Sequence, residues 1–187
     1  ATLVACMAEI AAAAPDLPFY YYHIPGLTGV NLDMVEFLRQ GAARIPTLAG
    51  IKYSAPTLYE FQACANFDGG RFNMLFGVDE MLLSGLAAGA HGAVGSTYNF
   101  AAPLYQAIMR AFAAGDVAAA QRLQLLSAQM VLKVIGGYRA LPSLKSMMGF
   151  AGVECGPPRL PQVALTPAER AALHADLAEL GFLAWLT

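Results

Sequence analysis

The chain alternates a short apolar run with a longer amphipathic run four times, and this repeat limits the possible folds more than any other feature. The apolar runs have the length of strands, and Gly, Pro and polar residues bound them. Almost continuously apolar strands are typical of parallel sheets that are covered on both faces. We therefore predict an α/β fold with strands in Leu17–Pro25, Leu48–Ser54, Phe72–Gly77 and Gly92–Ser96.

A helix is predicted after each strand, and only helices follow residue 116. Asn31 is the expected N-cap of the first, and Pro56 is the expected first residue of the second. The segment Thr166–Glu169 has the residues and spacing of a capping box, so it opens the last helix. The helices are predicted at about 31–44, 56–66, 79–88, 101–114, 116–135, 142–150 and from 167 onward.

Four strand–helix units with trailing helices correspond to half of a (β/α)₈ TIM barrel. A complete barrel takes about 250 residues, and this chain has 187. We predict the C-terminal half of such a barrel, with about four parallel strands in residues 1–115 and three C-terminal helices in residues 116–187, all in one domain. An open doubly wound sheet is the alternative, but its Gly-x-Gly-x-x-Gly fingerprint is absent from the sequence.

Composition and charge exclude several classes of protein. Hydrophobic residues make up 57% of the chain and charged residues 13%, which rules out intrinsic disorder. The net charge of −2, without a basic cluster, gives no reason to expect nucleic-acid binding. Glycines and Pro103 interrupt the longest uncharged stretch, Met81–Met109, so we expect no membrane span, and the cytoplasm is the expected compartment.

The cysteines and histidines predict neither a disulfide framework nor a metal site. Cys6, Cys64 and Cys155 lie far apart, without a Cys-x-x-Cys pair, and we expect buried thiols in a reducing compartment. His23 and His91 have no second candidate ligand at a useful spacing.

Polar side chains lie at or just after the end of each predicted strand. Because the active groups of α/β folds gather at the C-terminal ends of the strands, we expect these side chains to face one site. They include Tyr22, His23, Lys52, Ser54, Asp79, Glu80, Ser96, Thr97 and Asn99. The alternative for Asp79, Glu80, Ser96 and Thr97 is a structural role as acids or caps at helix N-termini. The alternative for His23 is a satisfied core histidine.

Lys52 is the strongest candidate, because it is a lysine within an apolar strand, whereas the other two lysines lie in predicted helices. An apolar environment favours the neutral amine, which can attack a ketone and form a Schiff base. Tyr22, on the preceding strand, would supply a phenol that relays protons. The alternatives are a structural ion pair of Lys52 with Asp79 or Glu80, and simple packing of Tyr22.

Five motifs of the chain resemble the N-acetylneuraminate lyases, the sialic acid aldolases of the animal type, in the dihydrodipicolinate synthase/N-acetylneuraminate lyase family. The likeness covers essentially the whole chain and corresponds to the C-terminal part of the family's fold. The motifs are Tyr20–Val30 (YYYHIPGLTGV), Gly50–Ser54 (GIKYS), Leu75–Glu80 (LFGVDE), Gly92–Asn99 (GAVGSTYN) and Gly156–Pro161 (GPPRLP).

This resemblance implies a class I aldolase on a TIM barrel that cleaves N-acetylneuraminate reversibly to N-acetylmannosamine and pyruvate. It also implies a homotetramer that takes small-molecule substrates and uses no metal or organic cofactor. Lys52 stands at the position of the family's Schiff-base lysine, and Tyr22 at that of its proton-transferring tyrosine. The implied sugar-binding positions are Ser54, Gly77, Asp79, Glu80 and Ser96.

A related branch of the family makes dihydrodipicolinate from pyruvate and aspartate semialdehyde, and it places an arginine shortly after the tyrosine. That position is Leu27 here, and the first arginine of the chain is Arg39. A neutral pocket favours a sugar, while a different aldehyde partner for pyruvate is the alternative.

One part of the family pattern is missing from this chain. The family's first half-barrel carries a Gly-rich turn with hydroxyl residues that grips the pyruvate carboxylate, and here only a helical segment of about 14 residues precedes the first predicted strand. We therefore expect a piece of a longer protein. The alternative is a truncated, inactive half-barrel that acts only as an interaction partner through its uncovered sheet edges.

Overall fold

A computed structural model describes residues 1–187, apart from the side chain of Ile135. The chain divides into two compact units. The first comprises Ala1–Val78 and Ser84–Val94, and the second comprises Asp79–Leu83 and Gly95–Thr187. Within the described residues, no helix is long and apolar enough to cross a membrane. The division into half-barrel and helical extension at residue 116 stays a prediction.

The first unit contains one parallel sheet of four strands in sequential order. A doubly wound sheet reverses its strand order at one point, and this sheet does not, so the doubly wound alternative is wrong. The predicted α/β half-barrel, with four parallel strands, is confirmed. The strands are β1 (Phe19–His23), β2 (Leu48–Tyr53), β3 (Asn73–Phe76) and β4 (Gly92–Ala93).

Helices follow the strands as the periodicity predicts, with ends that differ by a few residues. The helices up to β3 are α1 (Thr2–Ala12), α2 (Pro25–Thr28), α3 (Met34–Arg44) and α4 (Leu58–Asn66). A 3₁₀ turn at Asp79–Met81 precedes α5 (Leu82–Ala87). The later helices are α6 (Tyr98–Ala113), α7 (Val117–Gly137), α8 (Ala140–Phe150) and α9 (Pro167–Glu179).

Two predicted helix starts are wrong by two residues each. Asp33 rather than Asn31 caps α3, because its carboxylate accepts a hydrogen bond from the N–H of Glu36 at 2.9 Å. A carboxylate at this point also interacts favourably with the positive end of the helix dipole. The second helix, α4, begins at Leu58 rather than Pro56, since the N–H of Leu58 closes a turn onto the Pro56 carbonyl at 2.9 Å.

Two further helix starts show what local signals can and cannot predict. The helix expected from residue 101 begins at Tyr98, and Ala101 interrupts it with a φ of −134°. The capping box at α9 is confirmed. The Thr166 hydroxyl accepts from the N–H of Glu169 at 3.2 Å, and the Glu169 carboxylate accepts from the N–H of Thr166 at 2.7 Å.

One face of the sheet packs against α3 and α4 through aromatic side chains. The Tyr21 ring of β1 lies 4.5 Å from the Phe37 ring of α3, and the Tyr53 ring of β2 lies 5.5 Å from the Phe61 ring of α4, measured between centroids. Because successive side chains of a strand point to opposite faces, the residues that alternate with Tyr21 and Tyr53 lie on the other face of the sheet. These include Tyr22 and Lys52.

Candidate active site

The two candidate catalytic residues lie side by side on neighbouring strands. Tyr22 of β1 and Lys52 of β2 are register partners, and Nζ of Lys52 lies 3.8 Å from the centre of the Tyr22 ring. Tyr22 is 44% exposed, and Lys52 is half-buried. The Lys52 amine and the Tyr22 ring, which we predicted from the sequence to act together, are thus in contact.

His23 does not share the face of this pair, contrary to the expectation that the strand-end residues point to one site. It follows Tyr22 in β1 and therefore points towards the helices, where it is 3% exposed. Its ring centroid lies 4.8 Å from that of Tyr53. Burial lowers the pKa of His23 below its ordinary value, and the nearby charge of Glu60 opposes this effect in part. His23 is therefore a packed core residue, which confirms the alternative predicted for it from the sequence.

Ser54 and Gly77, two predicted sugar-binding positions, meet where β2 and β3 end. The Ser54 hydroxyl donates to the Gly77 carbonyl at 3.1 Å. The parallel ladder continues beside it, with the N–H of Gly77 donating to the Tyr53 carbonyl at 2.8 Å. A Cβ at position 77 would lie 2.1 Å from Oγ of Ser54, so only glycine fits against the present Ser54 rotamer.

In the second unit, Asp79 is held by a buried group of hydroxyls. Its Oδ2 accepts hydrogen bonds from the N–H of Thr97 at 2.9 Å and from the Thr97 hydroxyl at 2.5 Å. The Thr97 hydroxyl lies 2.6 Å from that of Tyr105, which lies 2.9 Å from that of Ser127. Burial raises the pKa of Tyr105 to about 12, so this phenol is neutral near pH 7. This network fixes the orientation of the Asp79 carboxylate.

The Asp79 carboxylate packs directly against the backbone of Gly95. A Cβ at Gly95 would lie 1.5 Å from Oδ1 of Asp79, which is a closer approach than any side chain allows. Glu80, the next acid along the 3₁₀ turn, is half-buried. Ser96 is exposed, and its carbonyl accepts a hydrogen bond from the side-chain amide of Asn99 at 3.0 Å. The sugar-binding roles of Asp79, Glu80 and Ser96 stay predictions.

Sequence reasoning missed the importance of Thr97, which it treated as a possible helix cap beside Ser96. The structure shows no side-chain cap at the start of α6, and the Thr97 side chain is buried against Asp79 instead. The one signal in the sequence was the place of Thr97 directly after the predicted strand Gly92–Ser96. Nothing in the sequence specified the partner 18 residues earlier.

The three cysteines are free thiols, as expected, but only one is buried. Cys64 in α4 is fully enclosed, and burial, with smaller contributions from the charges of Glu60 and Asp33, raises its pKa to about 12. Cys6 and Cys155 are exposed, so the prediction of burial is wrong for these two.

The fold and this constellation define a known family. Residues 2–180 match the model of the dihydrodipicolinate synthetase family, and the chain belongs to it. Two solved structures of named members are similar to nearly the whole chain. The structure of the Proteus mirabilis N-acetylneuraminate lyase matches with a TM-score of 0.92 and 38% sequence identity. The match covers 97% of this chain and 61% of the Proteus chain. The Aliivibrio salmonicida sialic acid aldolase has a TM-score of 0.91 and 40% identity, covering 96% and 59%.

Curated relatives support the same assignment within the family. The N-acetylneuraminate lyase of Xenopus tropicalis is 44% identical over 160 residues, covering 85% of this chain and 52% of the relative. That of Rattus norvegicus is 41% identical over 185 residues, covering 98% and 58%. The resemblance read from the five motifs is thus confirmed. The chain spans about half the length of these relatives.

Proposed function

We propose that this chain carries the Schiff-base chemistry of a class I aldolase that cleaves N-acetylneuraminate to N-acetylmannosamine and pyruvate. The observation that carries the proposal is the placement of Nζ of Lys52 at 3.8 Å from the centre of the Tyr22 ring, on neighbouring strands. The resemblance of the motifs implies that these residues correspond to the family's Schiff-base lysine and proton-transferring tyrosine. The similarity to proteins named N-acetylneuraminate lyase supports the choice of substrate.

The proposed reaction begins when the Lys52 amine attacks the C2 ketone of the open-chain sugar. The resulting carbinolamine loses water and becomes an iminium ion. This ion takes up the electron pair of the C3–C4 bond as the bond breaks, while the C4 hydroxyl loses a proton that the Tyr22 phenol relays. N-acetylmannosamine leaves as the aldehyde. The remaining enamine is protonated at C3, and water then releases pyruvate and restores the amine.

In this scheme the iminium ion is the electron sink, so we propose a reaction without a metal or organic cofactor. We further propose that Ser54, Gly77, Asp79, Glu80 and Ser96 bind the hydroxyl chain of the sugar, since hydroxyl, carboxylate and carbonyl groups suit a polyol. Leu27, where the related branch has an arginine, is 83% exposed and offers no charge to an acidic substrate.

Reductive trapping tests the proposal directly. The protein is incubated with pyruvate and sodium borohydride, which reduces the imine to a stable secondary amine, and the modified peptide is identified by mass spectrometry. We expect the adduct on the peptide that contains Lys52. It should vanish in Lys52→Arg and persist in the matched control Lys145→Arg, which changes a lysine of α8. Absence of an adduct, or equal labelling of all lysines, would refute the proposal.

A second candidate is another pyruvate aldolase of the same family, because the matching family model is that of dihydrodipicolinate synthetases. Condensation of pyruvate with N-acetylmannosamine, compared with aspartate semialdehyde and simpler aldehydes, distinguishes the two. We also propose a cytoplasmic homotetramer, from the family resemblance and the composition. Analytical ultracentrifugation and fractionation of cells test these two points.

A further inference from the structure

Behind the candidate catalytic pair, on the side of the sheet that faces the helices, lies a partly buried hydrogen-bonded group that the proposed reaction does not use. The Tyr53 hydroxyl donates to Oε2 of Glu60 at 2.5 Å and lies 3.2 Å from the Thr57 carbonyl. The other carboxylate oxygen, Oε1, accepts from the N–H of Met34 at 3.1 Å. Glu60, in α4, therefore joins the end of β2 to the first residue of α3.

The Tyr53 ring of this group packs against other aromatic rings, whereas Glu60 is half-buried. Tyr53 is fully buried, and its ring contacts that of Phe61 edge-on, 5.5 Å between centroids. Burial and the charge of Glu60 raise the pKa of Tyr53, so its phenol stays protonated and donates. An apolar side chain would fill the same space without needing an acceptor. The phenol–carboxylate pair therefore adds a directional constraint that packing alone does not supply.

This constraint acts one residue away from the proposed nucleophile. Tyr22 pairs with Lys52 on one face of the sheet, and the next register pair, His23 with Tyr53, lies on the other. The rings of the second pair lie 4.8 Å apart between centroids and are tilted by 39°. Since consecutive residues share one backbone, a shift or twist at Tyr53 moves the Cα of Lys52 as well.

We propose that Glu60 is a positioning residue: by holding the Tyr53 phenol, it fixes the end of β2 so that the Lys52 amine stays over the Tyr22 ring. Glu60 acts through Tyr53 and lies on the face opposite to the proposed nucleophile. The inference rests on the proposed Schiff-base function and deepens it.

The test measures the rate at which pyruvate and borohydride trap an adduct on Lys52, at several pyruvate concentrations, together with far-ultraviolet circular dichroism and the melting temperature. Tyr53→Phe deletes one hydroxyl and keeps the buried ring, and Glu60→Ala deletes the acceptor. We expect the maximal trapping rate to fall by about ten- to hundredfold in both, because small misplacements of reacting groups have effects of that size. The pyruvate concentration at half-maximal rate should stay within about twofold. Because a loss of folded protein would also lower the maximal rate, the rates are compared per folded protein, as measured by circular dichroism.

Two further variants make this test specific. Glu60→Gln retains a side-chain carbonyl acceptor and should recover most of the trapping rate that Glu60→Ala loses. Tyr59→Phe makes the same chemical change as Tyr53→Phe at an 81% exposed position of α4, and it should trap at the wild-type rate.

The outcomes separate this inference from the proposed function. Folded Tyr53→Phe and Glu60→Ala proteins that trap pyruvate at the wild-type rate would overturn the inference and leave the aldolase proposal intact. A wild-type protein that forms no adduct on Lys52 would overturn both.

Discussion

Thr97 donates two hydrogen bonds to one carboxylate oxygen of Asp79, one from its N–H and one from its hydroxyl. Both residues are buried, and the hydroxyl continues the network towards Tyr105. A buried carboxylate is costly unless hydrogen bonds replace the water it has lost, and these two bonds supply part of that replacement. Thr97 thereby stabilises the acid that begins the turn after β3.

Replacing Thr97 with valine should destabilise the protein. Thr97→Val keeps the shape of the side chain but removes the hydroxyl from Asp79 and from Tyr105, and a lost bond to a buried charged group costs about 1.5–3 kcal/mol. Urea unfolding followed by circular dichroism measures the change. Thr2→Val, at an exposed position of α1, is the control and should shift the free energy by less than about 0.5 kcal/mol. An unchanged unfolding midpoint in Thr97→Val would contradict this role.

Gly77 and Ser54 should be coupled in a double-mutant cycle. Gly77→Ala places a Cβ 2.1 Å from Oγ of Ser54, which forces the hydroxyl away from the Gly77 carbonyl. We expect a loss of about 1–3 kcal/mol, as for other overpacked sites. Adding Ser54→Gly removes the clash, so the double variant should be more stable than the sum of the single effects predicts. Gly26→Ala, with nothing within 4 Å of the added Cβ, is the matched control. Additive energies would argue against the clash.

Tyr22→Phe should separate adduct formation from bond cleavage. The ring that lies beneath the Lys52 amine is retained, so trapping with pyruvate should continue at a rate close to that of the wild type. Loss of the phenol should slow cleavage of N-acetylneuraminate by about 10²–10⁴-fold, the usual contribution of a general acid–base group. Tyr20→Phe, two residues earlier in β1, serves as the control. Cleavage at the wild-type rate in Tyr22→Phe would exclude the relay.

Stability should rise with pH in the range where His23 titrates. Burial lowers the pKa of the folded-state imidazole below its ordinary value of 6.5, so the unfolded chain binds the proton more readily. The free energy of unfolding is therefore highest above about pH 6.5 and falls as the solution is acidified through this range. Guanidinium unfolding from about pH 5 to 7.5 measures the slope. His23→Phe, which keeps a ring in the core, should flatten it. Equal slopes in wild type and His23→Phe would contradict the assignment.

Periodicity and local motifs predicted much of this fold. The parallel strands follow from near-continuous apolar runs, and the start of α9 follows from a capping box whose partners lie within three residues. The same local reasoning placed the start of α3 two residues early, because Asn31 and Asp33 are both good caps and only the folded backbone selects between them. The pairing of Tyr22 with Lys52 also followed, from strand order alone.

The parts of the site that could not be predicted depend on partners far apart in the chain. Glu60 receives a hydrogen bond from a residue 26 positions earlier, and Asp79 from one 18 positions later. Neither separation matches a helix or strand period, so no pattern relates the partners before the chain folds. His23 was misplaced for a different reason. It was grouped with its neighbours at the strand end, although alternation sends it to the opposite face.

In β1 and β2 the candidate catalytic residues lie on one face of the sheet and the core residues on the other. This arrangement limits where the chain tolerates a change in length. One residue inserted into β1 directly ahead of Tyr22 would move the phenol to the position beside Tyr53, on the face towards the helices, and would leave the inserted residue beside Lys52. Libraries that vary segment length to alter substrate choice should therefore place insertions in the connections between strands, where no side chain changes sides.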